Sequence, residues 1–196
     1  MTLPIAVCVS GRGSNLQALI DAIEQRRLDA RIVLVACSRA GVPALDRAAR
    51  AGIPSGVFPV TKATRSEAQA AMGQAIKGSG ARLVVLAGYD RILADAFWDA
   101  LGEVPVINIH PSLLPAFGGL NGMKVHQAVV AAGATESGAT VHRAYRGKLD
   151  EGEILVQRRV PVSPRDTPET LADRVLAAEH DALVQAVGLF VPAAAS

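Results

Sequence analysis

Aromatic residues are scarce: 4% of the 196 residues are Phe, Trp or Tyr, while 50% are hydrophobic overall. Ala, Val and Leu dominate, which suits a helix-covered sheet better than a binding surface rich in rings. Charge of one sign is also missing, since 20 Lys and Arg face 18 Asp and Glu for a net charge of +2. Nucleic-acid binding normally shows a concentrated basic stripe. The longest basic runs here are pairs such as Arg26-Arg27 and Arg158-Arg159, so no nucleic-acid partner is expected. No apolar run reaches the roughly 18 residues of a membrane span, so no membrane partner is expected either. Residues Met1 to Ala6 lead into a strand without a charged leader region, which argues against a signal peptide. Cys8 and Cys37 each fall in a predicted strand. They fit reduced, buried thiols in a cytoplasmic protein better than a disulfide. The four histidines are scattered without close ligand spacing, so no zinc site is expected. No G-x-S-x-G elbow occurs, which argues against a serine hydrolase. No repeat, linker or composition break divides the chain, and its length suits one well-cored domain.

What is present begins with Ile5–Val9, a short apolar run bounded by Ser10-Gly11 and read as a central strand. Gly11-Arg-Gly-Ser-Asn15 follows, then a helix whose Leu16, Leu19, Ile20 and Ile23 form one apolar stripe. Ser14 or Asn15 is expected to cap it. Strands are predicted over 31–38 and 83–87, with a weaker one over 57–60 placed at an edge by Pro59. Helices are predicted over 43–51, with Pro43 at the first position and Gly52 as the stop, and over 67–77 and 95–101. This alternation implies right-handed βαβ units and a parallel sheet. Later come a helix over 124–132, strands over 140–145 and 154–162 joined by a polar turn at 146–153, and a last helix opened by Thr167-Pro168-Glu169. The two late strands read as an antiparallel hairpin. The tail 191–196 is expected to fray.

The central stretch is Val106-Ile-Asn-Ile-His-Pro-Ser-Leu-Leu-Pro115. Strand side chains alternate faces, so Asn108 and His110 emerge together while Ile107 and Ile109 point the other way. Pro111 cannot continue the ladder, which leaves His110 at the carboxyl end of its strand. Ligands of open α/β sheets bind in the crevice at those ends. An amide can hold a developing oxyanion, and an imidazole can move a proton near neutral pH. The glycine loop 11–15 opens a helix start suited to a phosphate. It fails as a dinucleotide fingerprint, because Leu16 occupies the third glycine position and Arg39, not an acid, follows the second strand. A carboxylate beside His110 would favour its charged form. The polar turn offers Asp150, Glu151 and Glu153, and spacing does not choose among them. Glu179 stands in the apolar stripe Leu171, Val175, Leu183, where it is out of place unless paired or wet. His126 and His142 read as structural or loop residues.

Taken together, these motifs resemble the folate-dependent formyltransferases, and within them the branch acting on glycinamide ribonucleotide. The carriers are Ser10–Asn15, Leu86–Leu93, Asn108–Pro115, Thr140–His142, Leu149–Gly152 and Glu179-His180, and the likeness spans residues 5–190. The resemblance implies an α/β, three-layer Rossmann-like fold with a mostly parallel sheet of about seven strands. It implies one domain over 1–196, with a phosphate-binding half (1–100) and a catalytic and folate-binding half (101–190). It implies 10-formyltetrahydrofolate as co-substrate, no metal, and phosphoribosylglycinamide as the acceptor; a homodimer is compatible with it. By position, Gly13, Ser14, Asn15 and Glu179 would hold the ribonucleotide. Arg65, Asp90, Arg91, Ile92 and Leu93 would line the folate site, with Asn108 and the turn residues Arg146, Gly147, Lys148, Leu149 and Asp150. Asn108, His110 and Asp150 match the catalytic trio, in which Asp150 keeps His110 charged.

Three departures stand out: Asp90 where methionine is common, Glu151 after Asp150 where glycine is common, and a longer loop over 118–126 whose role is left open. The related methionyl-tRNA formyltransferases and formyltetrahydrofolate hydrolases would need an extra domain, after or before this one, and neither is expected here. A non-catalytic nucleotide-binding module gives no reason for Asn108, His110 and Asp150 together.

Overall fold

The computed structural model describes residues 1–193. Its sheet contains β1 (Leu3–Val9), β2 (Ala30–Cys37), β3 (Ser55–Val57), β4 (Leu83–Leu86), β5 (Val106–His110), β6 (Glu136–Arg143) and β7 (Ile154–Pro161). The strand order is β3-β2-β1-β4-β5-β6-β7. Neighbours from β3 to β5 pair parallel, while β5–β6 and β6–β7 pair antiparallel. The chain winds outward from β1 toward β3 and then crosses to β4, so the crevice between the ends of β1 and β4 is the topological switch point.

Apolar alternation divides the strands between two cores. Ile5, Val7, Val9, Val85, Ile107 and Ile109 face a core closed by α1 (Ser14–Glu24), α2 (Pro43–Arg50), α5 (Met123–Ala131) and α6 (Pro168–Gly188). Ala6, Cys8, Val84, Leu86 and Val106 face the second, closed by α3 (Arg65–Gly78) and α4 (Asp95–Leu101). The result is the expected three-layer arrangement. Cys8 and Cys37 fall in opposite cores, so the sheet separates the two free thiols. Burial pushes the Cys8 thiol up to about 12.

Several local expectations are met and others shift. The stripe of α1 is buried through Leu16, Leu19 and Ile20, each such leucine contributing roughly 1.5–3 kcal/mol of transfer free energy. Pro43 opens α2 as expected. Thr167 caps α6 through the Thr170 N–H, with Pro168 in the first turn. The edge strand lies at Ser55–Val57, before Pro59 and not across it, because the missing N–H of proline ends the ladder. Neither Ser14 nor Asn15 caps α1. The N-cap is Gly13, and the Asn15 amide is committed elsewhere. Val191 packs against the first core and does not fray; the expectation for 194–196 lies outside the described residues.

Candidate active site

Asn108 and His110 leave β5 on the face opposite Ile107 and Ile109, as the alternation requires. In the antiparallel register Asn108 is opposite His142, and His110 is opposite Thr140. Thr140 is fully buried and fixes the loop beyond Pro111. Its hydroxyl donates to Ser112 O at 2.6 Å and accepts from the Leu114 N–H at 3.0 Å. The loop then returns the Phe117 carbonyl to within 3.2 Å of His110 Nε2.

Of the three acids in the turn after β6, Asp150 is the one that faces this pair. Its Oδ2 lies 3.4 Å from His110 Nδ1 and its Oδ1 lies 3.4 Å from His142 Nε2. Oδ1 is also 3.5 Å from Asn108 Nδ2. Glu153 instead pairs with Arg143 at 2.9 Å, and Glu151 is exposed. Two backbone features press Asp150 inward. The Gly119 N–H donates to its Oδ2 at 2.9 Å. Gly152 passes so close to β6 that a Cβ there would lie 1.6 Å from the Arg143 carbonyl oxygen.

His142 Nδ1 lies 2.9 Å from the Arg143 carbonyl. A carbonyl only accepts, so Nδ1 carries the hydrogen. In the neutral ring Nε2 then accepts from Asn108 Nδ2 at 3.1 Å, which points the amide nitrogen of Asn108 into the cluster.

Electrostatics sharpen the roles. Burial pulls His110 below its ordinary range, and the Asp150 carboxylate and Phe117 carbonyl recover only part of that. The expected carboxylate effect is present, but burial outweighs it. Burial alone would raise Asp150, yet the His142 ring beside it, the Gly119 N–H that donates to it and the His110 ring hold it below the usual carboxylate range. The cluster is therefore a fixed negative charge beside an imidazole whose proton affinity will rise when further negative charge appears next to it.

The other end of the site is the glycine loop. Gly13 has φ +73°, and a Cβ there would meet Ala44 Cβ at 2.7 Å. Only glycine fits both the left-handed backbone and the approach of α2. The first turn of α1 leaves its N–H groups free, and the first to bond backward is Gln17, to Gly13 O at 2.9 Å. Asn15 Nδ2 donates to Glu179 Oε2 at 2.6 Å. Burial raises Glu179 to about 7, against the pull of the Asn15 hydrogen bond and the Arg12 charge. The Asn15 Oδ1 is buried without a partner. The out-of-place carboxylate of the α6 stripe is thus paired, and both residues face the same space as the loop.

That space is a cleft of about 700 Å³ joining the two ends. Residues 13–15, 90–93 and 147–150 line it with Asn108, His110 and Glu179. Two expected lining residues stand outside the lining. Arg65 donates to Ile92 O at 3.0 Å, and Arg146 is taken up by Asp95 and Asp99 on α4. Asp90 is held by Arg39 across the end of β1, and its N–H donates to Ser10 Oγ at 3.1 Å.

His142 on β6 and His126 on α5, read from sequence as structural or loop residues, both line the cleft, and His126 Nδ1 is buried without a partner. His142 was legible in principle. Once β5 and β6 are drawn antiparallel, it falls beside Asn108 on the same face. The Phe117 carbonyl and the Gly119 N–H carry no side-chain signal. The loop over 118–126, left open by sequence, supplies part of the wall. Among the described residues no group of three or more His, Cys, Asp or Glu is placed to hold a metal ion.

Residues 3–187 match the Formyl transferase family. The chain is 37% identical to the phosphoribosylglycinamide formyltransferase of Haemophilus influenzae, over 90% of this chain and 81% of that protein. It is 44% identical to the trifunctional purine biosynthetic protein adenosine-3 of Drosophila pseudoobscura, over 97% of this chain but only 14% of the length of that larger protein. The crystal structure of glycinamide ribonucleotide transformylase 1 from Symbiobacterium toebii superposes with a TM-score of 0.88 at 38% identity, covering 96% of this chain and 87% of that one. With a family match over nearly its whole length and these relatives, the chain belongs to the formyl transferase family, in its phosphoribosylglycinamide formyltransferase branch.

Proposed function

We propose that the chain transfers the formyl group of 10-formyltetrahydrofolate to the amine of 5′-phosphoribosylglycinamide, a step of purine biosynthesis. The observation that carries this reading is the convergence of Asn108, His110 and Asp150 on one wall of a cleft whose other end is a phosphate-sized glycine loop. The ribonucleotide phosphate meets the free N–H groups of Gly13, Ser14 and Asn15. Glu179 and Asn15 meet its polar sugar or amide groups. The formyl donor lies along 90–93 and 147–150.

The neutral amine attacks the formyl carbon, a new C–N bond forms, and negative charge develops on the formyl oxygen. Asn108 Nδ2 donates to that oxygen. The charge also raises the proton affinity of His110, which Asp150 already favours, so the imidazole takes up the proton lost by the amine as the oxyanion forms and holds it for the leaving nitrogen. The bond to the folate nitrogen then breaks, and the proton lost by the amine ends on that nitrogen. An oxyanion donor is typically worth ~10²–10³ in rate. Direct transfer requires no enzyme nucleophile.

Support for a cytoplasmic setting comes from the two buried free thiols, Cys8 and Cys37. No helix among the described residues is long and apolar enough to cross a membrane. The test is direct: the protein is mixed with both substrates, and tetrahydrofolate release is followed. Release at an enzymatic rate is expected, and a rate equal to the protein-free background refutes the proposal.

A further inference from the structure

Residues 88–93 form one wall of the cleft, yet the stretch from Gly88 to Ala94 belongs to no helix or strand. A backbone without a ladder must satisfy its polar groups elsewhere. Much of that satisfaction comes from one side chain on α3. Gln69 is 0% exposed. Its Nε2 donates to Tyr89 Oη at 3.1 Å and to Ile92 O at 3.1 Å, and its Oε1 accepts from the Ala94 N–H at 2.6 Å. Arg65, one turn earlier on the same helix face, donates to the same Ile92 carbonyl at 3.0 Å. Burying an amide is costly unless its capacity is used. The packing of α3 gives no reason for one, since Met72 and Ile76 fill its core contacts. All three hydrogen bonds of the Gln69 side chain go to the wall segment.

We infer that Gln69, assisted by Arg65, is the positioning residue for the cleft wall 89–94, setting its distance from Asn108 and His110 and so the fit of the formyl donor. The identity of that ligand rests on the function proposed above; the positioning does not. A purely structural Gln69 would, when removed, loosen the fold generally and weaken both substrates alike. A positioning Gln69 acts on one wall and one substrate.

The test compares the full chain with Gln69→Leu, Gln69→Glu and Arg65→Met. Amide hydrogen exchange is measured over 88–94, with 10–15 and 146–152 as references, together with kcat and both KM values. In Gln69→Leu, exchange over 88–94 rises while the references hold, and KM for 10-formyltetrahydrofolate rises about tenfold with the ribonucleotide KM within about twofold. Gln69→Glu keeps the acceptor for the Ala94 N–H and falls between wild type and Gln69→Leu. Arg65→Met removes only one bond to Ile92 O and gives a smaller shift of the same kind. Equal movement of both KM values, or unchanged exchange over 88–94, overturns the inference. If Gln69→Leu does not fold, the other two variants decide by the same criteria. If the wild type shows no turnover, the proposed function fails and the exchange pattern alone decides the positioning role.

Discussion

At the carboxyl end of β1 the cleft wall is made of backbone, a left-handed Gly13 and the open N–H groups of α1. At the carboxyl end of β5, two strands away, it is made of side chains. Asn108 and His110 come from one strand, His142 from the next, and Asp150 from the turn beyond. A backbone site is set by a few adjacent residues, and most side-chain changes leave it standing. A side-chain site is set by strand register, and truncating one member removes its chemistry while the fold persists. The two ends should therefore fail differently: one through stability and ribonucleotide affinity, the other through turnover.

The sharpest way to break that contrast is His110→Ala. It should lower kcat by ~10²–10⁴ while ribonucleotide affinity, read by calorimetry, stays near wild type. A kcat within a few-fold of wild type would remove His110 from the chemistry.

Glu179→Gln probes the other end through pH. The folded carboxyl titrates at about 7, above its ordinary 4.5. Below 4.5 both folded and unfolded chains hold the proton and burial carries no charge penalty. As pH rises through about 7 the native state must bury a charge, so stability is lost. The gap from 4.5 to about 7 corresponds to roughly 3 kcal/mol. Denaturant melts should show the variant gaining on wild type by up to that amount between about pH 4.5 and pH 8. The buried His110 and His126 and the half-buried His180, all held below their ordinary range chiefly by desolvation, act in the opposite sense and destabilise as pH falls below 6.5. They are common to both proteins and cancel in the difference. A constant difference across the range would contradict the burial argument.

His142→Ala leaves the Asn108 amide unoriented. A loss of between tenfold and ~10²-fold in kcat is expected, the range for a misplaced catalytic group, with both KM values little changed. A larger loss than in His110→Ala would mean that His142 touches the reacting atoms directly. Gly13→Ala should reduce stability by about 2 kcal/mol through backbone strain and weaken ribonucleotide binding, with kcat at saturation largely kept. A variant as stable as wild type would show that the loop can relax away from Ala44.

Legibility in the sequence follows the same division. The span of β5 and the facing of Asn108 and His110 were readable because alternation and a proline stop are local signals. Pro43 and Thr167-Pro168 marked helix starts for the same reason. Ser14 and Asn15 are good cappers by type, while the strain-tolerant Gly13 and the distant Glu179 decide the actual start of α1. His142 reads only as structural from sequence, because its partner is 34 positions away and becomes its neighbour only through the β5–β6 pairing. Gln69 offered even less, since an amide in a helix looks like surface until the loop it holds is known. Spacing alone does not choose Asp150 over Glu151 and Glu153; the family resemblance does, and the close approach of Gly152 to β6 accompanies that placement in the fold.

The hydrogen bond from Asn15 to Glu179 joins positions 164 residues apart. Chains are synthesised from the amino terminus, so the glycine loop and α1 leave the ribosome long before their partner carboxylate exists. Until α6 docks, the loop has its backbone but not its acidic counterpart, and the α1–α6 core is open. The helix α6 thus finishes a site that α1 begins, across most of the described chain.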